Sequence, residues 1–181
     1  LDLLTLPDAR FQVSQVIGWL RVPAIQTQFQ LTPDDVDQLA HWLSTAAVHW
    51  GLDAEHKAGF VEREVSDHFT WQQGLDRLLL GFAWGVEATI LGERLLLPQV
   101  EGSDALQLGR LMAFVRRLKQ LASELNQPRD IEHWQAFLKD RLRLALFATG
   151  ESFDPAHDDL RAAIADLGQH CFEAGFDGEI P

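Results

Sequence analysis

Thr70 to Gly85, TWQQGLDRLLLGFAWG, carries two glycines seven residues apart inside an otherwise strong helical pattern. At helical spacing Trp71, Leu75, Leu78 and Phe82 share a face, with Leu79 beside them. A glycine in a helix interior costs about 1 kcal/mol relative to alanine. Gly74 and Gly81 therefore either mark a close approach of another backbone or are tolerated in a plain core helix. In both cases the helix belongs in the middle of the packing, with Leu78 and Leu79 buried and Thr70 as its N-cap.

The same periodicity recurs along the chain. Ser14 is placed to cap a short helix carrying Val16, Ile17, Trp19 and Leu20, and Pro23 opens another. Thr32 reads as an N-cap, with Pro33 first in the helix and Asp34 and Asp35 at the positive end of its dipole. Val36, Leu39, Ala40, Leu43 and Ala47 form its apolar face. Asp53 is placed to cap a short helix over Ala54 to Ala58, and Gly59 to Phe69 reads as loop. TILGERLLLP, after Gly85, is compatible with a small hairpin or a loop, and the loop is the expectation. Ser103 caps the longest helix, from about Asp104 to Asn126, with a seam of Leu108, Leu111, Val115, Leu118, Ala122 and Leu125. Asp130 caps the next, with Ile131, Trp134, Leu138, Leu142 and Ala145 inward. Asp154 and Pro155 open the last, with Leu160, Ile164, Leu167, Cys171 and Ala174 inward and Gly175 as its stop. The expected fold class is all-α, a helical bundle with the long helices side by side.

The chain has 181 residues, which fits a single helical domain spanning 1–181. It opens on Leu1, so it is expected to be a fragment of a longer chain. Its one cysteine, Cys171, excludes an internal disulfide, which fits a reducing cytoplasm. No apolar run approaches the roughly 20 residues of a membrane span. The net charge is −12, from 27 acidic and 15 basic residues. Phosphate neutralisation supplies most of the affinity of nucleic-acid binders, so this balance argues against autonomous DNA binding.

The residues hold little chemistry. His49, Asp53 and His56 lack the spacing that puts two imidazoles on one helix face, and no second cluster supplies further ligands. His157 reads as decoration of a helix start beside Asp154 and Asp158. His170 and Cys171 are adjacent, so they point apart on a helix. There is no GxxxxGK loop for a nucleotide and no carboxylate cluster with a lysine for a nuclease metal. No catalytic, metal-binding or cofactor-binding residue is assigned. A basic strip remains: Arg110, Arg116, Arg117 and Lys119 on the long helix, and Lys139, Arg141 and Arg143 on the next. It is either a phosphate track, hence a DNA or partner contact, or the solvated face of two amphipathic helices or their contact with acidic neighbours.

Three stretches together resemble the RecC family, the gamma chain of exodeoxyribonuclease V. They are LDLLTLPDARFQVSQVIGWLRVPAIQTQFQLTPDD, the turn AVHWGLDAEHK and the helix TWQQGLDRLLLGFA. LGRLMAFVRRL, PRDIEHW and the closing EAGFDGEIP continue the likeness in one register. The residues that carry the motif are Trp50, Gly51, Leu52, Asp53, His56, Trp71, Gly74 and Gly81, while Lys57 and Phe82 stand where the family has Arg and Tyr. The resemblance implies a middle helical region of the subunit, akin to the 2B insertion of a degenerate superfamily 1 helicase. It implies a non-catalytic, cytoplasmic scaffold in double-strand break repair and homologous recombination. The implied partners are the rest of the RecC-like subunit, RecB- and RecD-like subunits and DNA within the full complex. The alternative is a module guiding a DNA strand along the basic strip.

Overall fold

The computed structural model describes residues 2–62, 65–85, 89–92, 94–150, 154–176 and 178–180. The chain forms two compact units, Asp8–Val115 and Leu1–Pro7 with Arg116–Pro181. The first holds α1 (Val13–Leu20), α2 (Pro23–Gln28), α3 (Pro33–Thr45), α4 (Ala54–Ala58) and α5 (Trp71–Trp84). It continues through β1 (Ile90–Leu91), β2 (Arg94–Leu95) and a 3-10 turn at Gly102–Asp104 into α6 (Ala105–Leu125), within which the division falls. The second unit continues with α7 (Ile131–Ala136), a π-helical stretch at Phe137–Leu142, α8 (Arg143–Leu146) and α9 (Asp154–Glu173). The chain is predominantly helical, and β1 with β2 form the one sheet among the described residues.

Local chemistry sets the helix starts. Thr32, Asp53, Thr70 and Asp130 each accept a hydrogen bond from the backbone N–H three residues on, satisfying a donor the helix leaves unpaired. Asp35 returns a bond to the Thr32 N–H at 2.8 Å, which closes a capping box. Ser14 is not a cap: α1 begins at Val13, and Gln12 stands before it without a side-chain bond. At the far end of α3, Ala47 leaves the helix at φ 52°, with Val48 N–H on the Leu43 carbonyl at 3.0 Å. This is a left-handed C-terminal turn built on a non-glycine residue, so Ala47 does not extend the apolar face as expected. Trp42 is buried beside Val36, Leu39 and Leu43 instead.

In the first unit α1 packs on α2 and α3, and α3 on α5. The buried stripe of α5 is Trp71, Gly74, Leu75, Leu78 and Gly81. A Cβ on Gly81 would overlap the backbone of Leu97, so this glycine does mark a close backbone approach. A Cβ on Gly74 would overlap a methyl of Val48, a side chain. Leu97 is held there by its N–H on the Arg77 carbonyl at 3.1 Å, and the Arg77 guanidinium bonds the Leu95 carbonyl at 2.8 Å. These contacts centre the stripe on the glycines, which leaves Leu79 off its edge at 41% exposure. Phe82 shares the face but lies in the last turn beside an open groove, and it too is exposed. Both depart from expectation. So does the 90–95 segment, which is a short antiparallel hairpin pairing Ile90 with Leu95 and Leu91 with Arg94, not a loop.

In the second unit the π-helical stretch alters the expected face. Phe137 and Leu142, five residues apart, are both buried, with Ala145 and Leu146. Five-residue spacing suits a wider π turn, so a three-four reading misplaces Ile131, Trp134 and Leu138, which are half-buried. α9 packs on α7 and the π-helical stretch. Gln135 lies against Gly168 and donates to the Ile164 carbonyl at 2.8 Å. Ile164 is buried, whereas Leu160, Leu167 and Ala174 are exposed and Cys171 is half-buried, so that inward face is narrower than expected. Gly175 does stop the helix, at φ 65° with Phe176 N–H on the Cys171 carbonyl.

Leu78→Ala should cost about 2–5 kcal/mol in a urea titration, and Leu79→Ala far less. Gly74→Ala should be partly rescued by Val48→Ala, because its obstacle is a methyl. Gly81→Ala should not be rescued by truncating Leu97, because its obstacle is backbone.

Candidate functional site

The residues of the Trp50–Asp53 turn converge with those of α5. Gly51 sits at φ 81°, where an L side chain is strained, and a Cβ there would overlap the stem of Lys57. Its N–H donates to the Arg10 carbonyl at 2.8 Å, and its carbonyl accepts the Trp71 N–H at 2.9 Å. The Leu52 carbonyl accepts the Gln72 N–H at 2.9 Å. The first two free donors of α5 are thus satisfied by the turn. Asp53 caps α4 through the His56 N–H at 2.8 Å. The His56 ring meets Phe11 edge-on at 5.2 Å between centroids, and Phe60 at the same distance. The Trp71 indole donates to the Phe11 carbonyl at 2.7 Å. Phe11 and Phe69 are both left-handed, at φ 52° and 65°. Such backbone costs of order 1–3 kcal/mol per residue and persists only where its surroundings hold it. Here the Phe69 carbonyl accepts the His49 N–H at 2.9 Å.

Lys57, whose burial was not foreseen, completes this cluster. It is 8% exposed, donates to the His68 carbonyl at 2.8 Å and lies 5.3 Å from the centre of the Trp50 ring. The apolar pattern around it could not reveal it, because its stem fills the space beneath a glycine that lies six residues away. These bonds position backbone and rings.

The cations of the basic strip are divided between the units. In the first, Arg110 donates to the Gln30 side chain at 3.0 Å. In the second, Arg141 makes two bonds to the Glu124 carboxylate, at 2.8 and 2.6 Å. The hydrogen bonds from Arg141 hold the Glu124 carboxyl below its ordinary value, and the charge of Arg117 adds to the effect. Arg117 itself reaches Gln120 at 3.4 Å, and Arg143 donates to the Lys139 carbonyl at 2.8 Å. Arg116 and Lys119, three apart on α6, are exposed. A carboxylate therefore sits inside the second-unit part of the strip, and its best-placed guanidinium is already engaged.

Among the described residues no group of three or more His, Cys, Asp or Glu side chains is arranged to hold a metal. His49 stacks on Phe69 at 4.9 Å, apart from the roles of Asp53 and His56 in capping and ring packing. His157 is buried, not surface decoration, with its Nε2 3.0 Å from the Ala148 carbonyl. No helix among the described residues is long and apolar enough to cross a membrane.

The family model for the fourth domain of the RecBCD enzyme subunit RecC matches residues 1–181. The chain is 29% identical over 154 residues to the RecBCD enzyme subunit RecC of Escherichia coli K12, covering 84% of this chain and 14% of that protein. The Mycolicibacterium smegmatis subunit is 30% identical over 134 residues, 74% of this chain and 12% of that protein. The Haemophilus influenzae subunit is 26% identical over 180 residues, 99% of this chain and 15% of that protein. The chain thus spans 12–15% of the length of these relatives.

Two variants test the geometry. Trp71→Phe leaves the buried Phe11 carbonyl without its donor and, because phenyl is smaller than indole, opens a cavity at a fully buried site; it should cost at least about 1–3 kcal/mol in a denaturant titration. Glu124→Gln should lower the melting temperature at neutral pH. A carboxylate with a depressed folded pKa stabilises above its unfolded pKa, and that stability is lost as pH falls through the folded value. The difference between wild type and Glu124→Gln should therefore close on acidification, in melts taken from pH 7 downwards.

Proposed function

The chain belongs to the RecC family, and from that membership we propose that it works as a non-catalytic scaffold domain of a RecC-like subunit. In this reading residues 1–181 are one helical domain of a longer polypeptide, equivalent to the 2B-like insertion of a degenerate superfamily 1 helicase. It holds its place against the rest of that subunit and against RecB- and RecD-like subunits in a cytoplasmic complex. The complex serves double-strand break repair and homologous recombination, and DNA is met only in the assembled state.

The observation that carries the scaffold reading over a DNA track is the engagement of Arg141 by Glu124. A phosphate arriving there would have to displace a carboxylate that already makes two charge-assisted bonds, which are among the stronger ones available. The Trp50–Asp53 turn supports the same reading, since its polar groups are spent on shape. The DNA-contacting alternative rests on Arg116 and Lys119, which share an exposed face of α6.

The test is made in the assembled complex. Arg116→Glu with Arg117→Glu should alter assembly or have little effect, with unwinding lost only where assembly is lost. Loss of unwinding by a fully assembled variant would favour the DNA track. The isolated region should neither hydrolyse ATP nor cleave DNA with magnesium, and cleavage that responds to mutation of this region would contradict the non-catalytic assignment.

A further inference from the structure

The end of α5 is unlike its beginning. Trp71 is 1% exposed, whereas Trp84 is 61% exposed. Beside this last turn lies a groove of about 250 Å³, wholly within the first unit. Gly81 and Val100, both buried, form its base, and Phe82, Pro98, Glu101 and Gly102 line it further out. Leu79 and Trp84 add exposed apolar surface on the same helical turns. Clefts for small molecules and cofactors run from roughly 300 to 1,000 Å³. This one is below that range and suits a single side chain.

The lining specifies the chemistry of that side chain. Phe82, Pro98 and Val100 ask for an apolar or aromatic group. Among the described residues the Glu101 carboxylate has no hydrogen-bonding or ionic partner, and it stands exposed at the groove. A complementary segment therefore presents an apolar residue with a Lys or Arg close by.

The size of the groove also indicates its source. Specific interfaces between separate proteins bury about 1,200–2,000 Å², and one side chain in a groove supplies only a small part of that. A tethered segment needs much less, because the linker raises its effective concentration to the millimolar range. The relatives are roughly six times the length of this 181-residue chain, since 154 aligned residues make up 14% of the Escherichia coli subunit, and the chain matches the model of the fourth domain. Resting on the scaffold reading above, we propose that the Phe82–Glu101 groove docks an apolar side chain with a neighbouring Lys or Arg from another domain of the same RecC-like polypeptide. The groove is thus an intramolecular latch between domains.

The full-length subunit, purified without its partners, tests this. Phe82 is replaced by the photoreactive p-benzoylphenylalanine, and cross-linked peptides are identified by mass spectrometry. The expected product joins position 82 to a peptide outside residues 1–181 that carries an apolar residue beside Lys or Arg. Glu101→Lys should lower its yield several-fold, while Glu101→Asp should largely keep it. Cross-links confined to residues 1–181, no cross-link at all, or a yield indifferent to Glu101→Lys would each overturn the latch. Assembly of the same variants, followed by gel filtration, separates the two readings: a missing cross-link with normal assembly removes the latch and leaves the scaffold standing.

Discussion

Gly51 is the constraint on which the first unit depends. Its left-handed backbone turns the chain so that its N–H meets Arg10 while its carbonyl meets the start of α5. A side chain there would collide with the stem of Lys57. Lys57 in turn is buried only because the His68 carbonyl and the Trp50 ring receive its ammonium. A buried charge without such partners would be strongly destabilising. One turn thus ties together the approach to α1, the short α4 and the N-terminus of α5. The left-handed Phe11 and Phe69 are consequences of the same closure, each held by bonds from residues far away in sequence.

The two glycines of α5 show how different contacts hide behind one sequence pattern. Gly81 admits the backbone of Leu97, and this close approach carries the segment between the hairpin and α6. Gly74 admits Val48, which follows directly on the left-handed Ala47. In the second unit the analogous device is a side chain laid on a glycine, Gln135 on Gly168, with its amide bonded to the carbonyl of Ile164. Each glycine allows elements to meet more closely than an alanine would.

What was legible in the sequence was mostly what is local. The caps at Thr32, Asp53, Thr70 and Asp130 involve residues three apart, so the sequence contains both partners. The seam of α6 was legible because leucine repeats along a regular helix; Leu108, Leu111, Val115, Leu118 and Leu125 are all buried. Leu79 and Leu167 misled because the width of a buried face depends on what packs against it. The π-helical stretch misled because the three-four rule assumes a constant number of residues per turn. Within TILGERLLLP, where a loop is expected over a small hairpin, Ile90–Leu91 and Arg94–Leu95 pair as antiparallel strands whose four residues are all exposed, so no alternating pattern marks them. The WGLD and GLDRLLLG motifs pointed to the family, but their physical role, a turn whose carbonyls cap the helix, appears only when both are seen together. Among the cations, the strip read from sequence did not include Glu124, which lies on the long helix within reach of Arg141.

Shape rather than phosphate affinity is the central claim, and the salt dependence of DNA binding tests it most directly. The chain carries 27 acidic and 15 basic residues, and at about 0.15 M salt fields beyond roughly 8 Å are screened. Each phosphate contact should steepen the fall of affinity with salt by about 0.9 in the log–log slope on duplex DNA. The account predicts that the isolated 1–181 region binds duplex and single-stranded DNA weakly at that salt, with a slope corresponding to few contacts. Submicromolar binding with a steep slope, abolished by Arg116→Glu and Arg117→Glu, would contradict it.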